Sequence, residues 1–148
     1  MLVGSDSAFE PYGRALRRLV DDLGLRSVTF AGHVSDTERD AWYRRADAFA
    51  TLSLHEGFGA PLVEALSHGL PVVARDAGAV AETLGGAGVV LEGDDLALVA
   101  EALHEVTTSE ATRRGLHAAA ARRLGELQPD VVAERIRGAL APLLDACA

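Results

Sequence analysis

The stretch Ser53-Leu54-His55-Glu56-Gly57-Phe58-Gly59-Ala60-Pro61-Leu62-Val63-Glu64 constrains the fold of this chain more than any other. Just before it, Ala48 to Leu52 is a short apolar run, the pattern of a strand buried on both faces of a parallel sheet. Just after it, Pro61 suits a first helical turn, where its missing N–H has no intrahelical partner to lose. Gly57 and Gly59 let the backbone turn tightly and approach a ligand with no Cβ in the way. A strand, a glycine turn and a helix start leave unpaired N–H groups and the positive end of a helix dipole in one cleft, and anions bind there.

Two carboxylates flank the turn. Glu56 precedes the glycines and Glu64 follows eight residues later. By helical spacing Pro61, Glu64 and His68 share one face while Leu62, Ala65 and Leu66 share the opposite one. The apolar face is expected to pack on the sheet, with Glu64 looking back toward the turn. Acids on both sides of an anion-binding turn suit a ligand that carries phosphate and hydroxyls together, as a nucleotide-sugar does.

The rest of the chain alternates strand-like and helix-like segments, the pattern of a parallel α/β sheet. Leu2-Val3-Gly4 reads as a strand stub and Gly4-Ser5-Asp6-Ser7 as its turn. Residues 10 to 23 read as a helix ended by Gly24, and 27 to 31 as the second strand. Ser35 and Glu38 form a capping-box pattern, so a helix is predicted from about Asp36 to Arg45. Further strands are expected at 48 to 53, 71 to 74 and 88 to 91. After the Gly93-Asp94-Asp95 cap, Leu96, Val99, Ala100, Leu103 and Val106 recur at helical spacing, and another helix spans about 109 to 127. Beyond Pro129-Asp130, Val132, Ile136, Leu140, Leu143 and Leu144 mark a last amphipathic helix.

Composition narrows the function by exclusion. The chain has 148 residues, about half apolar, enough for one compact domain. A net charge of −8 argues against a nucleic-acid or anionic-membrane surface. All 14 basic residues are arginine, which excludes a P-loop and any lysine nucleophile. A lone Cys147 makes neither a disulfide framework nor a metal cluster, and no metal-ligand spacing is visible. With no stretch approaching a membrane span and no leader-like start, the chain reads as soluble and cytoplasmic.

The spacing from Glu56 to Glu64 resembles the E-x7-E motif of retaining glycosyltransferases of the GT-B fold. The likeness extends to Val28 through Ser35, Tyr43 through Phe49, and Gly69 through Gly78 with Glu82, in that family's order and spacing over roughly residues 1 to 127. The resemblance implies that Glu64 holds the ribose hydroxyls of the donor, that Glu56 lies beside the donor sugar as the candidate catalytic residue, and that amides at Gly57, Phe58 and Gly59 meet the diphosphate. The base is placed near Gly32, His33 and Val34. His55 and Arg75 complete the candidate set, Arg75 as a substitute diphosphate cation. The donor is a substrate, and neither cofactor nor metal is expected.

The resemblance also implies what surrounds the chain. Family members pair a donor-binding domain with an acceptor-binding one, and only the former is represented here. Residues 1–128 read as that domain without its first strand and helix, which in the family supply an Arg and a Lys to the diphosphate. Residues 129–148 read as a helix that packs on the domain or on a partner, a second copy included. Removing the first strand from a 3-2-1-4-5-6 sheet leaves a Rossmann-like three-layer sandwich, with five parallel strands in the order 2-1-3-4-5 if the gap closes. The function expected of the complete enzyme is sugar transfer with retention, with the isolated chain inactive. The alternative is a non-catalytic nucleotide-binding or interaction module derived from the domain. A signalling receiver domain shares the strand order but needs a lysine at the sheet's edge.

Plainer readings stand beside several residues. Glu64 could simply complement the helix dipole, and the two glycines could form an ordinary βα turn. His55 could be a loop residue, Arg75 a solvated loop arginine, and Ser5 and Asp6 caps. The runs Arg14, Arg17, Arg18 and Arg113, Arg114, Arg122, Arg123 read as solvated helix faces.

Overall fold

The computed structural model describes residues 1–3 and 11–145, with side chains of the last helix described through position 142. The expected turn at Gly4 to Ser7, the candidates Ser5 and Asp6, Cys147, and the side chains of Leu143 and Leu144 lie outside this set. The chain divides into two compact units, Met1–Arg45 and Ala46–Ala148.

The first unit holds β1 (Leu2–Val3), α1 (Pro11–Asp22), β2 (Phe30–Gly32) and α2 (Asp36–Arg45). β1 runs parallel to β2, with Leu2 opposite Phe30 and Val3 opposite Gly32. Arg17 is not simply a solvated face: its guanidinium lies 4.5 Å from the centre of the Phe30 ring, a cation–π contact. The capping box forms as expected. The Ser35 N–H and hydroxyl donate to Glu38 Oε2 at 2.8 and 2.7 Å, and the Glu38 N–H donates back to Ser35 Oγ at 3.3 Å. The bond from the Ser35 backbone, then that from its hydroxyl, hold the Glu38 carboxyl below the usual carboxylate range. This cap therefore contributes at neutral pH, and its contribution is lost as pH falls through the lowered value.

The second unit holds β3 (Phe49–Thr51), α3 (Ala60–Ser67), β4 (Val72–Arg75), α4 (Val80–Leu84), β5 (Val89–Leu91), α5 (Leu96–Thr108), α6 (Glu110–Glu126) and α7 (Pro129–Asp145). All pairings are parallel, and β4 lies between β3 and β5. That central place explains its composition: Val72, Val73 and Ala74 are fully buried, and a strand covered on both faces has no polar positions to spare. Leu62, Ala65 and Leu66 of α3 are buried as the spacing predicts, and α3 and α5 pack on β4. α6 packs in turn on α3 and α5. Asp95 caps α5 through the amides of Ala97 and Leu98, at 2.9 and 3.2 Å.

The structure departs from expectation in three places. First, the hydrogen-bonded strands form two parallel sheets, β1-β2 and β3-β4-β5, rather than one of five. The order within each is the expected one. The described part of β1 is two residues long, with an irregular register to β2. Second, α4 was not anticipated, because five residues are too few to display a helical period. Third, the stripe of α5 is buried mainly at Val106, while Leu96 is exposed. On α7, Ile136 and Leu140 are likewise exposed. Among the described residues no helix is long and apolar enough to cross a membrane.

Because Leu84 is wholly buried and Leu140 is exposed, truncation should separate core from surface. Leu84→Ala is expected to lower the unfolding free energy by about 2–5 kcal/mol. Leu140→Ala should stay within about 0.5 kcal/mol of the parent. Urea titration followed by far-UV circular dichroism checks both.

Candidate functional site

The glycine turn follows β3 and opens α3, and its geometry comes from contacts that follow β4. Gly59, the residue before α3, has φ 75°. A Cβ there would lie 2.6 Å from Leu62 Cδ1 and 3.9 Å from Glu56 Oε2, so glycine is required by the fold and the Glu56 carboxylate stands beside the helix start. Gly57 is different. Its φ is not positive, and a Cβ on it would meet nothing within 4 Å. The fold does not need glycine at position 57, which leaves open space there for something other than protein.

Two carbonyls of the turn point into the protein. Glu56 O accepts the Ala79 N–H at 3.0 Å. Gly78, with φ 58°, lies so close that a Cβ would come within 2.2 Å of Glu56 O. Phe58 O accepts the Thr83 hydroxyl at 2.6 Å, and Thr83 is 2% exposed. Among the described residues nothing accepts from the N–H groups of Gly57, Phe58 or Gly59. Those donors stand at the start of an eight-residue helix, where the backbone partial charge is positive.

Arg123 holds α4 from behind. Its Nε donates to the Thr83 carbonyl at 2.9 Å and its Nη2 to the Glu82 carbonyl at 2.7 Å. Nη1 reaches Glu126 at 2.7 Å, and the side chain is 14% exposed. This corrects the reading of Arg123 as a solvated residue. A cation on the last carbonyls of a helix is favourable because their partial charge is negative.

The other candidates are placed as follows. Glu56 and Glu64 are half-buried, His55 and Phe58 exposed. The Glu64 carbonyl, in the second turn of α3, accepts the Ser67 hydroxyl at 2.7 Å. Arg75 ends β4 with a side chain only 15% exposed and paired to Asp94, so it is not a solvated loop arginine. Its Nε is buried without a hydrogen-bond partner among the described residues. Gly32 ends β2 in the first unit, followed by an exposed His33 and a half-buried Val34. Among the described residues no group of three His, Cys, Asp or Glu side chains could hold a metal ion.

A surface cavity of about 470 Å³ adjoins the turn, reached by Gly57, Phe58, Glu82 and Thr83 and walled by Arg123 and Ile136. Neither Glu56 nor Glu64 lines it. Sequence reasoning missed Gly78, Thr83 and Arg123. Gly78 and Glu82 fall in or beside the stretch matched to the family pattern, but nothing in one sequence told that the segment reaches back to Glu56 and Phe58.

A parallel β–turn–helix unit with its glycine turn at the carboxyl end of a strand defines a Rossmann-like α/β domain. Residues 1–109 match the family described as Glycosyl transferases group 1, and the chain belongs to that family. It is similar to O-antigen chain mannosyltransferase B of Escherichia coli, 35% identical over 94 residues, covering 60% of this chain and 25% of the relative. It is similar also to the lipopolysaccharide core biosynthesis mannosyltransferase LpsB of Rhizobium meliloti, 36% identical over 104 residues, covering 67% and 28%. Among solved structures, sucrose-phosphate synthase from Thermosynechococcus elongatus superposes with TM-score 0.77 at 26% identity, covering 99% of this chain and 38% of that one. Anabaena HepE in complex with UDP-glucose gives TM-score 0.71 at 28% identity, covering 98% and 40%. The likeness is to the carboxyl-terminal domain of a GT-B glycosyltransferase. The chain spans 25% and 28% of the length of the two mannosyltransferases.

The glycines should respond differently to a methyl group. Gly78→Ala meets a backbone oxygen and an unfavourable φ, and is expected to destabilise by at least about 1 kcal/mol. Gly57→Ala should leave the melting temperature within about 1 °C, on the order of the smallest surface effects. Differential scanning calorimetry of the two variants distinguishes them.

Proposed function

We propose that this domain binds the nucleotide-diphosphate-sugar donor of a glycosyltransferase that transfers the sugar with retention at the anomeric carbon. The observation that carries this reading is the turn itself: three successive N–H groups with no acceptor among the described residues, at the start of α3 and beside the Glu56 carboxylate. Membership of the glycosyltransferase family and the UDP-glucose bound by the similar HepE support it.

In this reading the amides of Gly57, Phe58 and Gly59 stabilise the diphosphate, whose negative charge grows as it leaves. Such donors act strongly because they are aimed before the reaction begins. Glu56 contacts the donor sugar, where positive charge develops, and is assigned no nucleophilic role. Glu64 accepts the ribose hydroxyls, each such charged hydrogen bond contributing about 1.5–3 kcal/mol. His55 serves the sugar, and Arg75 approaches the diphosphate. An acceptor-binding domain supplies the other side of the reaction, and the single Cys147 goes with a reducing, cytoplasmic setting.

A second reading, a nucleotide-binding module without transfer activity, is favoured by the apolar side chains that α7 leaves exposed. The exposed Ile136 and Leu140 of α7 would in that case face a second copy.

Calorimetric titration with uridine, guanosine and adenosine diphosphates and their sugars tests the donor site. Glu64→Gln is expected to weaken the preferred nucleotide about tenfold or more, and Gly57→Ala to weaken it without lowering stability. Curves identical to the parent's for both variants would remove these residues from the site. The 148-residue chain alone is expected to release no sugar from any of the donors. Measurable transfer or donor hydrolysis would overturn the assignment of inactivity.

A further inference from the structure

We propose that Thr83 is a positioning residue that aims the Gly59 N–H at the ligand, with Arg123 holding Thr83 in place. The peptide unit is planar. In a trans amide the C=O and the following N–H point in opposite directions. Phe58 O and Gly59 N–H belong to one such unit, as do Glu56 O and Gly57 N–H. The Thr83 hydroxyl draws Phe58 O toward α4 at 2.6 Å, so the Gly59 N–H faces away from α4. Ala79 N–H does the same to Glu56 O at 3.0 Å, and turns the Gly57 N–H outward. Two of the three unpaired donors thus owe their direction to bonds made by their own peptide carbonyls.

The two bonds differ in chemistry. The one from Ala79 is backbone to backbone and is reinforced by the close approach of Gly78, so any residue with an N–H at position 79 could make it. The one from Thr83 depends on a side chain. Among the described residues Thr83 is also the polar member of an otherwise apolar set of buried side chains, and a buried hydroxyl is unfavourable unless it is bonded. Valine would fill the same volume without that penalty, so packing gives no reason for the hydroxyl; the Phe58 carbonyl does. Arg123 then fixes where the hydroxyl sits, because its guanidinium spans the carbonyls of Glu82 and Thr83. The chain of support runs from α6 through α4 to the turn, and every member lies in the second unit.

The proposal predicts order at Gly59 in the absence of any ligand, and for its consequence in binding it rests on the donor reading above. The test is ¹⁵N relaxation of the 148-residue chain and of Thr83→Val and Thr83→Ser, followed by titration with UDP and GDP. In the parent and in Thr83→Ser the Gly59 amide should show a rigid order parameter of about 0.85, and in Thr83→Val it should fall toward about 0.6. Affinity for the nucleotide that binds should drop about five- to tenfold in Thr83→Val, the loss of one hydrogen bond's orienting effect, and return in Thr83→Ser. Thr83→Ala carries the same expectation should Thr83→Val not fold. Leu84→Ala serves as the control for destabilisation alone, and should leave Gly59 rigid. A Gly59 amide equally rigid in the parent and in the hydroxyl-free variants overturns the proposal. If the parent binds neither nucleotide, the donor reading fails while the relaxation comparison still decides the role of Thr83.

Discussion

The Glu56 carbonyl accepting the Ala79 N–H, with Gly78 pressed against it, is the contact on which the arrangement of the candidate site depends. It joins the ends of two neighbouring parallel strands, β3 and β4, beyond the point where their ladder stops. Parallel strands deliver their carboxyl ends side by side, and loops leaving those ends are the natural place for ligands. Here the second loop does more than lie nearby. It holds the first by its backbone, and α4, which follows, holds it again through Thr83.

That arrangement divides the polar groups of the turn between the protein and the cleft. Carbonyls at Glu56 and Phe58 are satisfied inside, as buried acceptors need to be. The N–H groups lie on the opposite sides of the same peptide planes, where no acceptor among the described residues meets them and where the proposed donor would. An anion site built this way is oriented before the ligand arrives, so little reorganisation opposes binding. It also places the demand for small residues unevenly: Gly59 and Gly78 serve the backbone, while Gly57 leaves room beside it.

The electrostatics follow the same division. The second unit sets Arg123 on the carbonyl end of α4 and Arg75 against Asp94, so these cations are committed to structure in the state described. Main-chain dipoles at the start of α3 add positive potential at the turn, in a chain whose net charge is −8, and Arg135 lines the adjoining cavity. A protein with no lysine, and with Arg75 and Arg123 engaged, can still present an anion site, because peptide dipoles at a helix start need no side-chain charge.

Much of this was legible in the residues alone. The apolar run at 48–52, the two glycines, Pro61 and the period of Leu62, Ala65 and Leu66 are local signals, and a strand, turn and amphipathic helix follow from short-range sterics and periodicity. The capping box at Ser35 and Glu38 is local in the same way. What lay beyond reach were contacts between residues far apart in sequence: Gly78 on Glu56, Thr83 on Phe58, Arg123 on Glu82, the last 41 positions apart. Arg123 sits in an Ala- and Arg-rich helix whose pattern does not tell a buried arginine from a solvated one, and five residues of α4 carry no period. The sequence by itself determined which segments become strand, turn and helix, because propensity and hydrophobic period act over a few neighbouring residues. Only the tertiary structure decided which carbonyls of the turn face inward and therefore which N–H groups are free, because that depends on partners the chain brings together solely by folding.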